Sequence, residues 1–215
     1  MEKILVKVVS IAALMLAVMI HEIAHGWVAL RHGDTTARDA GRLSLNPLRH
    51  IDLVGTIILP LALVLVNAGV VFGWAKPVPV NIARCRNPRQ AFWMTALAGP
   101  LSNLLQALLG TGLLLLVVHL VPRVVETFWG GVFVIFLYLY VFTNLVLMTF
   151  NLIPIPPLDG SKVLAMLLPD RLAIPYLRLD RIGFILIFLL LQFDVVDNLL
   201  QGVLQGYAKL FGLPL

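Results

Sequence analysis

Charge is scarce in this chain. Only 13% of its 215 residues are Asp, Glu, Lys or Arg, and just 11 are acidic, where soluble globular domains carry about a quarter charged residues. Hydrophobic residues make up 60% and the mean hydropathy is +0.96. That balance excludes a soluble globular domain and points to an integral membrane protein. Cysteine is nearly absent as well. Cys85 alone rules out an intrachain disulfide and any cysteine-rich zinc fold. No Ser/Gly linker, low-complexity tract or internal repeat divides the chain, and it is too short for a membrane part plus a large soluble domain. We expect one membrane-embedded domain over residues 1–215. The net charge of +5 does not indicate nucleic acid, because the arginines lie in short loops between apolar runs, as cytoplasmic loops do.

What is present is a series of apolar runs. A bilayer core needs about 20 apolar residues of helix. Residues 4–30, 53–72, 92–120, 132–150 and 182–202 are candidates, with a short helix over 161–168. The run at 4–30 has no small-residue cleavage site and continues into polar residues with a pattern of their own, so it reads as a retained helix rather than a leader. The tail `GVLQGYAKLFGLPL` is expected at the membrane interface. Residues 73–81, `GWAKPVPVN`, alternate Val with Pro. Proline fixes φ and removes a backbone donor, so this segment is expected to be extended, with the character of an edge strand or a rigid turn. The fold class that follows is an all-α polytopic membrane protein of about five to six membrane-embedded helices, with one re-entrant or extended segment.

The first run contains `HEIAH`, residues 21–25. On a helix, residues four apart share a face about 6 Å apart along the axis. Two imidazoles so placed can bind one zinc ion at about 2.0–2.1 Å. Glu22 is rotated about 100° from His21 and is free to act as a general base on a water at the metal. An ionisable triplet inside a membrane helix is costly and marks function. A catalytic zinc commonly has three protein ligands. Candidates for the third are His32, His50, His119, Asp159 and the loop aspartates. Asp159 stands out, because the prolines of `NLIPIPP` break the fourth run just before it. Broken backbone at membrane depth occurs where it lines a cavity. Its other reading is a helix N-cap.

Three motifs, `HEIAH`, `GPLSN` and `NLIPIPPLDG`, stand in this order on separate apolar runs. Together they resemble the site-2 protease family of intramembrane zinc metalloproteases, and the likeness spans residues 15–165. `GWAKPVPVN` and the loop `GDTTARDAGRLSLNPLRHID` are similar to its short bacterial and archaeal members, which lack PDZ or CBS domains. The resemblance implies one Zn²⁺ per chain, held by His21, His25 and Asp159, with Glu22 as catalytic base. It implies that Asn103 and Asn151 orient substrate or steady the oxyanion. It gives a core over 4–168 with an additional C-terminal span at about 182–202. His50 is expected to line the site or stand just behind it, and Pro77, Val78 and Val80 to offer an extended edge to an unwound substrate. The implied substrates are single-span proteins in the lipid bilayer of a prokaryotic cell.

For the motifs to meet at one depth, residues 53–83 must enter and leave the membrane on one side. The arginines of 31–52, 84–89 and 171–181 then share a face, which would be cytoplasmic, and the zinc lies nearer that face. Two other readings of the same residues are a metal-ion transporter and a non-catalytic relative that binds membrane helices. The sequence carries no signal for an oligomeric state.

Overall fold

The computed structural model describes residues 2–58, 62, 65, 76–190, 192 and 194–213. Among them the fold is entirely helical. Nine α-helices follow one another among the described residues: α1 (Glu2–Arg31), α2 (Thr36–Asp39), α3 (Pro88–Leu120), α4 (Pro122–Val125), α5 (Phe128–Asn151), α6 (Asp159–Leu167), α7 (Asp170–Leu177), α8 (Gly183–Leu190) and α9 (Asp194–Phe211). Three of these, α1, α3 and α5, are long and apolar enough to cross a membrane. They pack pairwise against one another to form the body of the protein.

The bundle is apolar outside and keeps its polar side chains within, among apolar core clusters. On α3, Leu101, Leu105 and Leu109 face outward while Asn103, Gln106 and Thr111 are buried. A helix surrounded by water would place these residues the other way round. Against lipid the arrangement is the stable one, because these residues find partners inside: Asn103 bonds Asn144, Thr111 bonds Tyr207, and Gln106 Oε1 accepts from Tyr140. On α1, Ala13 and Ala17 lie one turn apart, both fully buried against Tyr140 of α5. Small residues at this spacing let two helices approach closely where no hydrophobic effect drives them together.

Local chemistry sets the helix ends. Asn87 caps α3, its Oδ1 accepting from Gln90 N at 3.2 Å, and Pro88 occupies the first turn, where its missing N–H costs nothing. Thr127 caps α5 by accepting from Gly130 N at 3.1 Å. The α5 helix stops at Asn151, ahead of Pro154, Pro156 and Pro157, and the chain restarts as α6 at Asp159.

The expected run at 182–202 is not one helix. It is divided into α8 and α9, because its residues follow two different patterns. Residues 183–190 are apolar all round. From Asp194 the buried and half-buried positions Val196, Leu200, Val203, Leu204 and Tyr207 form one stripe, so α9 lies along the bundle, with Tyr207 hydrogen-bonded to Thr111 at 2.8 Å. Residues 202–211 of the tail form the second half of this helix. The expected crossing at 53–72 lies mostly outside the described residues; Leu53–Ile58 form a helical turn. Residues 76–80 take no regular secondary structure, Asn81 is extended, and none of them joins a ladder among the described residues.

Candidate metal centre

The two histidines of `HEIAH` stand on adjacent turns of α1 and point their Nε2 atoms at the first residue of α6. His25 Nε2 is 3.1 Å and His21 Nε2 3.3 Å from Asp159 Oδ2, and the two Nε2 atoms are 3.0 Å apart. Four ligands placed tetrahedrally at zinc distances of about 2.0–2.1 Å would be about 3.3–3.4 Å from one another. The triangle is close to one face of that tetrahedron.

The hydrogen bonds behind the imidazoles decide what the triangle can hold. His25 Nδ1–H donates to the Thr95 carbonyl at 2.6 Å. His21 Nδ1–H donates to Asn103 Oδ1 at 2.5 Å. The orientation of Asn103 is itself fixed. Its Nδ2 donates to Asn144 Oδ1 at 2.7 Å, and Asn144 Nδ2 donates to the Tyr140 carbonyl at 2.9 Å. A backbone carbonyl can only accept, so each amide in this relay can point only one way. Both imidazoles therefore carry their proton on Nδ1 and turn an Nε2 lone pair inward. Two lone pairs and a carboxylate oxygen converge with no proton among them. That donor set fits a divalent cation, and zinc in particular.

Asp159 is not an N-cap. Leu158 occupies the cap position and Asp159 the first turn. Its carboxylate is divided between two tasks: Oδ2 faces the imidazoles, while Oδ1 accepts from Lys162 Nζ at 3.1 Å, one turn along α6. Two glycines make room for this. A Cβ on Gly99, the first residue of `GPLSN`, would lie 2.5 Å from both His21 Nε2 and His25 Nε2. A Cβ on Gly160 would lie 2.2 Å from the Leu152 carbonyl oxygen. Gly99 keeps the open side of the triangle clear, and Gly160 lets α6 seat against the end of α5.

Comparison with known proteins agrees with this donor set. A Bacillus subtilis protein named "Putative zinc metalloprotease YwhC" is 40% identical over 181 residues, covering 84% of this chain and 78% of that protein. The chain belongs to this zinc metalloprotease family. Proteins of Mycolicibacterium smegmatis and Mycobacterium tuberculosis, each named "Putative zinc metalloprotease Rip2", are 34% identical over 73% of this chain, which spans 56% of their length. No family model matches the chain, and no solved structure does. The family name and the His21, His25 and Asp159 cluster together identify the cofactor as zinc.

The other residues singled out in the sequence take varied places. Glu22, one position on from His21, is not part of the three-residue cluster, and its Oε2 accepts from the Val78 amide at 2.8 Å. Val78 is buried, Val80 half-buried and Pro77 exposed. Asn103 is fully buried between His21 and Asn144, so its amide is committed behind the metal ligand. Asn151 Nδ2 donates to the Leu147 carbonyl on its own helix at 3.0 Å. His50 stands outside the cluster and acts at one remove. Its Nε2–H donates to the Ser44 carbonyl at 2.7 Å, and its own carbonyl accepts from Lys76 N at 2.9 Å. His32 lies in the loop after α1 with its carbonyl accepting from Arg86 N, and His119 is exposed at the far end of α3.

Several residues of the site had no sequence signal of their own. Asn144 and Lys162 look like ordinary helix residues until their partners are known. Asp34 and Arg42 were part of a polar loop. In the structure Asp34 is fully buried, accepting from Thr36 N, Thr36 Oγ1 and Asn81 N at 2.5–3.0 Å. Burial pushes its carboxyl up, but those hydrogen bonds, with Arg84 nearby, outweigh it and hold it below the ordinary aspartate range. Arg42 Nη2 donates to the carbonyls of Lys76 and Pro77 at 2.6 and 3.3 Å. Asp34, Arg42 and His50 thus hold both ends of the 76–81 segment beside α1.

Proposed function

We propose that this metalloprotease is an intramembrane endopeptidase of the short site-2 protease type, cleaving single-span membrane proteins within the bilayer. One observation carries the reading: a zinc-competent triad, buried or half-buried, takes two of its three ligands from a helix apolar enough to span a membrane. A metalloprotease acting on soluble proteins has no need to place its ligands there.

Zinc, when bound, supplies Lewis acidity and a water that loses its proton near neutral pH. The chain does the rest. His21, His25 and Asp159 hold the ion, and Lys162 keeps Asp159 turned toward it. Glu22 takes the proton of the attacking water and returns it to the leaving amine. The apolar walls of α1, α3 and α5 exclude bulk water. A transmembrane helix hides its peptide bonds, so the substrate must unwind before it is cut. The 76–81 segment is positioned to receive it by strand addition.

The geometry also supports the topology that the shared site requires. Lys76 N bonds the His50 carbonyl, so positions 50 and 76 lie side by side, and Arg86 N meets the His32 carbonyl just before α3 begins. The ends of α1 and α5 and the start of α3 then lie on the arginine-rich, cytoplasmic face. His21 is ten residues from the Arg31 end of α1, about 15 Å along the axis, which puts the zinc nearer that face.

The test is cleavage of a model single-span substrate by the purified protein in liposomes. We expect a cut inside the span, dependent on zinc. Cleavage of a soluble peptide with no cleavage of the embedded substrate would overturn the intramembrane reading. In a Cys85→Ser background, cysteines at Leu45 and Asn87 should label from the same side, and opposite-side labelling would overturn the topology.

A further inference from the structure

Glu22 and Gly26 are one turn apart on α1, on a stripe adjacent to the one that carries His21 and His25. Both meet the same residue of a distant segment. Val78 N–H donates to Glu22 Oε2 at 2.8 Å. A Cβ built on Gly26 would lie 2.7 Å from Val78 Cγ1, so the valine side chain sits in the gap that the glycine leaves. The neighbours of Val78 are Pro77 and Pro79, which have no N–H to give. Across residues 77–79, the only backbone donor is the one that bonds Glu22.

The segment that presents this donor is firmly placed. The Lys76 amide is held by the His50 carbonyl, the Lys76 and Pro77 carbonyls by Arg42, and the Asn81 amide by Asp34. Arg42 and Asp34 are themselves buried. Backbone fixed at both ends of six residues does not wander in the middle. A general base has to stand within hydrogen-bond reach of the proton it takes, and a flexible glutamate side chain does not hold one rotamer unaided.

We infer that Val78 is a positioning residue for this enzyme: its amide fixes the Glu22 carboxylate, and its side chain, seated over Gly26, sets how close the 76–81 segment lies to α1. The inference rests on the reading of Glu22 as general base. It explains the alternation in `KPVPV`: flanking prolines silence the neighbouring donors, and the valine shape registers the one that remains. It also constrains strand addition, since a substrate pairing along 77–79 finds carbonyl acceptors there and no free amide.

Two experiments test this. The first is hydrogen exchange in a peptide covering residues 76–81, in which only Val78, Val80 and Asn81 carry exchangeable amides after Lys76. Glu22→Ala removes the acceptor, and one amide is expected to exchange about tenfold faster or more. Glu22→Gln keeps an acceptor oxygen and is expected to keep the protection, although both variants lose the base. The second is kinetic. Val78→Pro deletes the N–H and is expected to lower kcat about 10- to 100-fold relative to Val78→Ala, which keeps it, with KM and zinc content alike in the two. Unchanged exchange in Glu22→Ala overturns the inference, as does equal turnover in Val78→Pro and Val78→Ala. The exchange measurement needs neither an active enzyme nor a Val78 variant, so it stands apart from any failure of the protease reading itself.

Discussion

The two halves of α1 are held in place by different means. Up to Ala17 the helix is fixed by shape: Val9, Ala13 and Ala17 are buried, and the last two meet Tyr140 across a close helix contact. From His21 onward it is fixed by directional bonds. His21 is oriented by Asn103, His25 by the Thr95 carbonyl and Glu22 by the Val78 amide. The first half would tolerate a small rotation with little loss, because dispersion contacts fall off smoothly. The second half would not, because a hydrogen bond weakens steeply with angle and a metal site needs its ligands within tenths of an ångström. One continuous helix thus joins a membrane anchor to an aligned active site.

The largest effect that separates the halves is expected from Glu22→Gln. Cleavage should fall by about 10²- to 10⁴-fold while zinc stays near one per chain by elemental analysis. Loss of the metal would instead place Glu22 among the ligands. Asp159→Ala should reduce both zinc occupancy and cleavage, measured by chelator competition and proteolysis, since the carboxylate faces the imidazoles and Leu158 holds the cap position. Full occupancy with normal cleavage would mean that another residue completes the site.

A smaller effect is expected one step further back. Asn144→Leu removes the amide that orients Asn103, and zinc affinity should fall about 10- to 100-fold, as for other partners of metal-bound histidine. An unchanged affinity would show that Asn103 keeps His21 in place without help. The smallest effect on the site belongs to the first half of α1. Ala17→Leu should cost about 1–3 kcal/mol of stability by overpacking, read as a lower unfolding temperature in detergent, while the folded fraction keeps its zinc. If zinc affinity falls as far in Ala17→Leu as in Asn144→Leu, the two halves are not separable.

The sequence by itself determined whatever depends on neighbours within a turn or two. The membrane helices α1, α3 and α5 follow from local hydropathy. The pairing of His21 with His25 follows from helical period, and the break before Asp159 follows from proline. The third ligand was one of several candidates from the residues alone, and the family resemblance selected among them. The tertiary structure decided the rest, because hydrogen-bond partners distant in sequence leave no periodic trace. Asn103 looked equally able to face a substrate or to bond a neighbouring helix, and only its contacts with Asn144 and His21 show which way its amide points. Lys162, Asp34 and Arg42 read as loop or surface charges until their carboxylate and carbonyl partners are in view. The apolar run at 182–202 read as one span because hydropathy sums over a window and does not register a switch from all-round apolar to one-sided patterning. The Val78 amide carries no sequence signal at all, since every residue but proline has one. What singles it out is that the fold brings this one, with prolines on either side, to the carboxylate of Glu22.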